Sequence, residues 1–289
     1  MTSSKTRLLG AVGYPNRVAR TPMLMSIFAE ATGQDFSYLL FEFPPEQLQQ
    51  AVEGLKALGA AGFNVTMPYK QAIIEYLDGM DEEAEQLNAV NTVRIDESGK
   101  LFGYNTDYYG FRKSLRDANV PVEGSRVAVI GAGAVSGPVA LALEKEKAGH
   151  VVWLNKTPEK AEACAAVMNA RRPGVAESAI LTPDHLNRAI RNSDIIVDIT
   201  PVGMATNAVK EHAFDANLMN PSKFVYHVVY APWETPILRT ARIHGAQIMN
   251  GARMSLNQAA RAFEIWTGAS IDDDTLARAL KCIEEDVRG

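Results

Sequence analysis

The run Val127-Ala128-Val129-Ile130-Gly131-Ala132-Gly133-Ala134-Val135-Ser136 constrains this chain more than any other segment. An apolar stretch runs straight into two glycines separated by one alanine, and a helical pattern follows. A short, continuously apolar strand suits burial on both faces, as in a parallel sheet. Gly131 permits the tight turn out of the strand. Gly133 lets backbone approach a pyrophosphate at the positive end of the next helix. Small Ser136 stands at the third position, with Gly137 beside it. The alternative is an ordinary strand-to-helix turn, but the strand before and the helix after are the context that phosphate binding requires.

Strand-like and helix-like segments alternate on both sides of this turn, which predicts α/β architecture. Before it, Leu8–Val12 reads as a strand. Thr21 as N-cap and Pro22 at the first position open a helix that Gly33 stops. Phe36–Phe43 is a strand. Pro45 begins a helix with Leu48, Val52, Leu55 and Leu58 on one face, ended by Gly59. Gly62–Thr66 is a short strand. Two short helices follow, then a hairpin of Thr92–Ile95 and Leu101–Tyr104 turning at Glu97-Ser98-Gly99. Beyond, Tyr108–Ala118 reads as a helix. Strands are expected at Arg126–Ile130, His150–Leu154, Asp194–Ile199, Lys223–Tyr230 and Ala246–Met249, with a helix at Pro158–Ala170. Met254–Val287 reads as two helices with no strand between them.

A length of 289 residues suits two ordinary domains. The pattern places their junction near Asp107. Residues 1–107 and 252–289 are expected to form an N-terminal α/β substrate domain. Residues 108–251 are expected to form a Rossmann-type, doubly wound nucleotide-binding domain, the C-terminal helices returning to the first.

Charge and composition exclude several function classes. Lys plus Arg number 29 against 34 Asp plus Glu, a net charge of −5, which argues against nucleic acid as a partner. No apolar run approaches the 18 or so residues of a membrane span. The apolar stretch Leu8–Val12 is too short for a signal peptide, so the expectation is a cytoplasmic protein. Two scattered cysteines, Cys164 and Cys282, make no disulfide scaffold, and the five histidines are never at metal-ligand spacing, so no metal is expected.

The second strand after the glycine turn ends at Asn155, 24 residues past Gly131. An enzyme using NAD usually has an acidic residue about there for the ribose 2′-hydroxyl. Here Asn155-Lys156-Thr157 stands instead, with Lys160 one turn on. A carboxylate would repel a 2′-phosphate, whereas an amide, a hydroxyl and two lysines attract it, so NADP is favoured over NAD. The alternative for the lysines is a solvated helix start, although cations there oppose the helix dipole.

In the first half, polar residues recur at strand ends: Asn64, Thr66 and Lys70; Asn88 and Asn91; Asn105, Thr106 and Asp107. Each alone reads as a turn former. Their repetition where open α/β sheets bind ligands makes them candidates for one polar cleft.

At these residues the chain resembles the shikimate dehydrogenase and quinate/shikimate dehydrogenase family over nearly its whole length. The carriers are Gly62 to Lys70, Asn88-Ala89-Val90-Asn91-Thr92, Gly103-Tyr104-Asn105-Thr106-Asp107, Gly131 to Ala134, Asn155-Lys156-Thr157, Thr200-Pro201-Val202-Gly203-Met204, and Asn257-Gln258-Ala259 before Phe263 and Trp266. The resemblance implies an active site in the cleft between two domains. It implies reversible hydride transfer between NADP and the ring hydroxyl of a cyclic hydroxy acid, shikimate or quinate. It makes Lys70 and Asp107 the acid–base pair. It makes Thr21, Thr66, Asn91, Tyr230 and Gln258 substrate-binding residues. It gives the pyrophosphate to Gly131, Ala132, Gly133 and Ala134, and sets Met204 beside the nicotinamide. A small-molecule substrate and a monomer or homodimer are expected.

Three departures stand out. Ala19 and Thr21 match a Ser-x-Ser pair that holds the substrate carboxylate in the family, which would shift that task to Arg17 or Arg20. Arg253 replaces a common glycine near the nicotinamide pocket. His227 replaces an aspartate. Together they suggest a paralogue with altered substrate preference. A nucleotide-binding regulator that has lost turnover is the alternative from another class, opposed by the intact Lys70 and Asp107.

Overall fold

The computed structural model describes residues 3–15 and 20–289. They fall into two compact units: Met1–Gly110 with Leu256–Lys281, and Phe111–Ser255 with Cys282–Gly289.

The first unit is built on a mixed six-stranded sheet. Its strands are β1 (Arg7–Gly13), β2 (Phe36–Glu42), β3 (Gly62–Val65), β4 (Gly79–Met80), β5 (Thr92–Ile95) and β6 (Leu101–Tyr104), in the order β2-β1-β3-β5-β6-β4. β1 runs parallel to both β2 and β3, and β5 and β6 form the expected antiparallel hairpin. Helices α1 (Thr21–Thr32), α2 (Leu48–Ala57) and α3 (Glu82–Leu87) connect these strands. The apolar face of α2 packs Leu48, Val52 and Leu55 onto Phe63, Val65, Tyr69 and Val93. Leu58, expected on that face, is 71% exposed. The helix ends at Ala57 and Gly59 turns with φ +68, so the chain leaves before Leu58 can reach the core.

Helix α1 corrects a second expectation. Thr21 is its first residue rather than its cap. Arg20 holds the cap position, and no side chain caps the helix. The Thr21 hydroxyl is instead bonded to the Tyr38 hydroxyl on β2. Gly33 closes the helix in the left-handed region, as expected.

Helix α4 (Thr106–Asp117) carries the chain from one unit into the next. The second unit has β7 (Arg126–Ile130), β8 (His150–Asn155), β9 (Ala176–Ile180), β10 (Ile195–Asp198), β11 (Phe224–His227) and β12 (Gln247–Asn250), in the order β12-β11-β10-β7-β8-β9. Every pairing is parallel. Counted within the unit, this is the doubly wound order 3-2-1-4-5-6 with its switch point beside β7. Helices α5 (Ser136–Lys145), α6 (Pro158–Arg171), α7 (Pro183–Asn192) and α8 (Pro236–Ile243) join the strands. Strand β9 and helices α7 and α8 are not among the elements the sequence pattern predicts.

Two helices complete the described residues, α9 (Ala252–Thr267) and α10 (Asp273–Arg288). Within the first unit, Phe263 of α9 packs edge-on against Phe28, and Trp266 Nε1 donates to the Val93 carbonyl at 2.9 Å. Gly62 makes room for that bond: a Cβ there would lie 2.3 Å from Trp266 Nε1. No helix among the described residues is long and apolar enough to cross a membrane.

Candidate active site

The first unit pairs Lys70 with Asp107 and links several of its other polar strand ends by hydrogen bonds. The loop after β3 is anchored by Tyr69, which is buried, stacks on Phe43 at 5.1 Å and donates its hydroxyl to the Phe43 carbonyl. The Lys70 carbonyl accepts from Val90 N at 2.8 Å. With the backbone held on both sides, Lys70 Nζ meets Asp107 Oδ2 at 2.5 Å. The lysine side chain is 20% exposed and the aspartate 7%. Asp107 sits in the first turn of α4, where the helix dipole favours a negative charge. Asn105 caps that turn by accepting from Tyr108 N at 3.2 Å, and its Nδ2 donates to the Ala89 carbonyl at 2.8 Å.

Asn91 is oriented by its neighbours. Its Oδ1 accepts from Thr106 N at 2.7 Å, from Thr106 Oγ1 at 3.1 Å and from Thr92 Oγ1 at 3.2 Å. With the oxygen fully engaged, its Nδ2 is the group left to donate to a ligand. Asn64 supports this arrangement, donating to Thr92 Oγ1 at 3.0 Å and accepting from the Tyr38 hydroxyl at 2.7 Å. Burial pushes the Tyr38 phenol well above its ordinary range, and the bond from Thr21 offsets part of that rise. A relay therefore runs from Thr21 through Tyr38, Asn64 and Thr92 to Asn91. Thr106, a candidate for the polar cleft by its place after β6, is part of this network, whereas Tyr38 is not among the residues the sequence singles out. The available signal is a lone phenol in a largely apolar strand, which needs a partner when desolvated.

Thr66 is exposed at the end of β3, its amide donating to the Val12 carbonyl at 2.9 Å. Gln258 lies half-buried on α9 in the same unit. Ala19 and Arg17 lie outside the described residues.

The second unit carries the remaining candidates. Gly131 has φ +105, and a Cβ there would come within 2.9 Å of Thr200 Cγ2, so no other residue fits the turn. Gly133 faces open space. No side chain caps α5 and no acid stands in its first turn, so the backbone N–H groups beside Ala132, Gly133 and Ala134 are available to an anion. At the end of β8, Asn155 Nδ2 donates to the Thr157 carbonyl at 3.0 Å. Lys156, Thr157 and Lys160 are exposed around it. These residues fit a dinucleotide with a phosphorylated ribose. Met204 lies half-buried in the turn after β10, and Tyr230 Oη is 3.5 Å from Ser255 Oγ. Arg253 is exposed, whereas His227 is fully buried. Among the described residues, no three His, Cys, Asp or Glu side chains are grouped to hold a metal ion.

Fold and site define an α/β protein with a Rossmann-type dinucleotide unit and a separate unit bearing a lysine–aspartate pair. Known proteins narrow this class. Residues 11–93 match the family model of the shikimate dehydrogenase substrate binding domain, residues 114–225 that of shikimate / quinate 5-dehydrogenase, and residues 251–281 that of the shikimate 5′-dehydrogenase C-terminal domain. A shikimate dehydrogenase (NADP(+)) of Alkaliphilus metalliredigens is 37% identical over 279 residues, covering 96% of this chain and 97% of the relative. The Listeria monocytogenes shikimate 5-dehydrogenase, solved with shikimate and NAD, superposes with a TM-score of 0.89 at 30% identity, covering 96% of this chain and 98% of that one. The Corynebacterium glutamicum quinate dehydrogenase, solved with NAD, gives 0.88 at 31% identity over 97% and 99% of the two chains. The chain belongs to the shikimate dehydrogenase family.

Proposed function

We propose that the protein is an NADP-dependent shikimate dehydrogenase that interconverts shikimate and 3-dehydroshikimate. The observation that carries this reading, within a family whose curated relatives bear that name, is the 2.5 Å contact between Lys70 Nζ and Asp107 Oδ2. Oxidising an alcohol requires a group to take the hydroxyl proton, and reducing the ketone requires one to return it. Lys70 and Asp107 are assigned that exchange. When bound, the nicotinamide supplies the hydride acceptor.

The first unit is assigned the acid. There Asn91 Nδ2, Thr66, Thr21 and Gln258 would hold its hydroxyls and carboxylate, and Tyr230 is assigned to the acid as well. The second unit is assigned the nucleotide: Gly131 to Ala134 for the pyrophosphate, Asn155, Lys156, Thr157 and Lys160 for the 2′-phosphate, Met204 for the nicotinamide. Neither a substrate-altered paralogue nor a regulator is favoured, because relatives matching nearly the whole chain carry the dehydrogenase name. The reading includes a cytoplasmic enzyme acting as a monomer or homodimer. Its two cysteines are not joined in a disulfide, as suits a reducing compartment.

The test is absorbance at the reduced-nicotinamide band with NADP or NAD and a panel of shikimate, quinate and related cyclic hydroxy acids. Shikimate with NADP should give the highest kcat/KM. Preference for another acid would overturn the substrate assignment, and nucleotide binding without any turnover would restore the regulator.

A further inference from the structure

The second unit buries a carboxylate for which the proposed chemistry has no use. Asp198, at the end of β10, is fully buried. Its Oδ1 accepts from Thr200 N at 2.9 Å and Thr200 Oγ1 at 2.7 Å, and its Oδ2 lies 2.9 Å from His212 Nε2. Thr200 and His212 are the two ends of one loop, so a single carboxylate ties both. Within the loop, Gly203 N donates to the Val209 carbonyl at 3.2 Å, Met204 N to Pro201 at 3.1 Å, and Lys210 Nζ to Ala205 at 3.0 Å. The neighbouring strand adds a third hold. His227 Nε2 lies 3.0 Å from the Thr200 carbonyl, with Thr235 Oγ1 2.8 Å from its other ring nitrogen. The His227 ring is also 3.7 Å from Asp198 Oδ2.

A buried carboxylate is costly unless charge or hydrogen bonds compensate it. Here every side-chain partner either belongs to the loop or grips its first residue. The cluster therefore acts on the position of the loop, and the loop carries Gly203 and Met204. Gly203 has φ +89, and a Cβ there would lie 3.0 Å from Pro236 Cδ, so the turn takes this shape only with glycine at that position.

We propose that His212 is a positioning residue: by clasping Asp198 it holds the Gly203–Met204 turn in place before the nucleotide arrives. This rests on the assignment of Met204 to the nicotinamide. His212 touches neither substrate nor cofactor in this account. It shapes the nicotinamide site in advance, sparing the ordering cost that a loose loop would impose on binding.

Three substitutions test it. His212→Ala removes the clasp. His212→Gln keeps a donor at the reach of Nε2. His212→Asn has the same amide on a shorter stem that falls short of Asp198. Amide hydrogen exchange across residues 202–210 is followed in the nucleotide-free proteins, and NADP affinity by fluorescence titration. In the Ala and Asn variants, exchange should quicken about tenfold or more and NADP affinity fall about three- to tenfold, the scale expected for loss of a hydrogen bond to a charged group. The Gln variant should stay near wild type in both, and shikimate KM should stay within about twofold throughout, because the clasp lies outside the acid's unit. Equal exchange in wild type and the Ala variant, or in the Gln and Asn variants should the Ala variant not fold, would overturn the clasp. Loosened loops with unchanged NADP affinity would overturn its link to the nucleotide. A wild-type protein that does not bind NADP would sink the functional reading and leave the exchange result to judge the clasp by itself.

Discussion

Lys70 Nζ lies 2.5 Å from Asp107 Oδ2, and the two residues arrive there from elements 37 positions apart. Each is fixed by its neighbour in sequence. Tyr69 is pinned to Phe43, and Thr106 bonds Asn91. A residue that packs thus stands beside each member of the pair, and the pair inherits the rigidity of the core.

Thr106→Val tests the orientation of Asn91. It removes the Oγ1 that meets Asn91 Oδ1 at 3.1 Å while keeping the shape of the side chain. The backbone bond from Thr106 N remains, so the amide loosens without losing its place. Shikimate KM should rise about threefold to tenfold, the scale of one net hydrogen bond, with NADP affinity unchanged. An unchanged shikimate KM would show that Asn91 needs no such support.

Lys156, just past β8, and Lys160, in the first turn of α6, are exposed, and β8 itself ends in Asn155 rather than a carboxylate. Replacing both with Ala should weaken NADP binding about tenfold and leave NAD binding nearly unaltered, since only the former carries a 2′-phosphate. Titrations with both nucleotides decide it. Equal losses would mean that the lysines do not read the phosphate.

Asp198 predicts an acid-sensitive second unit. Burial alone would raise its carboxyl, but the nearby His227 and the bonds from His212 and Thr200 bring it below the ordinary carboxylate value. A carboxyl lowered in the folded state stabilises the fold above its unfolded value of about 3.9, and that contribution is lost as pH falls through the lower folded value. Melts of wild type should therefore fall steeply below about pH 4, and those of Asp198→Asn less steeply. Parallel curves for the two proteins would contradict the account.

Gly62→Ala should destabilise the first unit. The added Cβ would sit 2.3 Å from Trp266 Nε1 and 2.4 Å from the Val93 carbonyl, so backbone as well as side chain must give way. Overpacking of this kind costs about 1–3 kcal/mol. A denaturant midpoint equal to that of wild type would show that α9 can shift freely.

The second unit was legible in the sequence wherever burial on both faces made its strands continuously apolar. Val127–Ile130 and Ile195–Val197 are central and fully or almost fully buried, and both were read. Strand β9 was not. Its Ala-Glu-Ser-Ala-Ile run lies at the edge of the sheet, carries two polar residues and alternates only weakly. Leu58 failed for a related reason: its spacing matched the helical period, but the period does not say where a helix stops. In the site, Lys70, Asp107 and Asn91 could be named because they fall at strand ends within matching motifs. Tyr38 and His212 could not. Each acts through a partner far along the chain, Asn64 for one and Asp198 for the other, and such pairings appear only once the chain is folded.

Lys70 and Asp107 are the pair to which exchange of the substrate proton is assigned. Lys70→Ala tests this assignment most directly, with kcat measured for shikimate and NADP beside nucleotide affinity measured by titration. Loss of acid–base assistance should lower kcat about 10²- to 10⁴-fold and leave NADP affinity close to that of wild type. A Lys70→Ala protein that turns shikimate over at a near-normal rate would contradict the account.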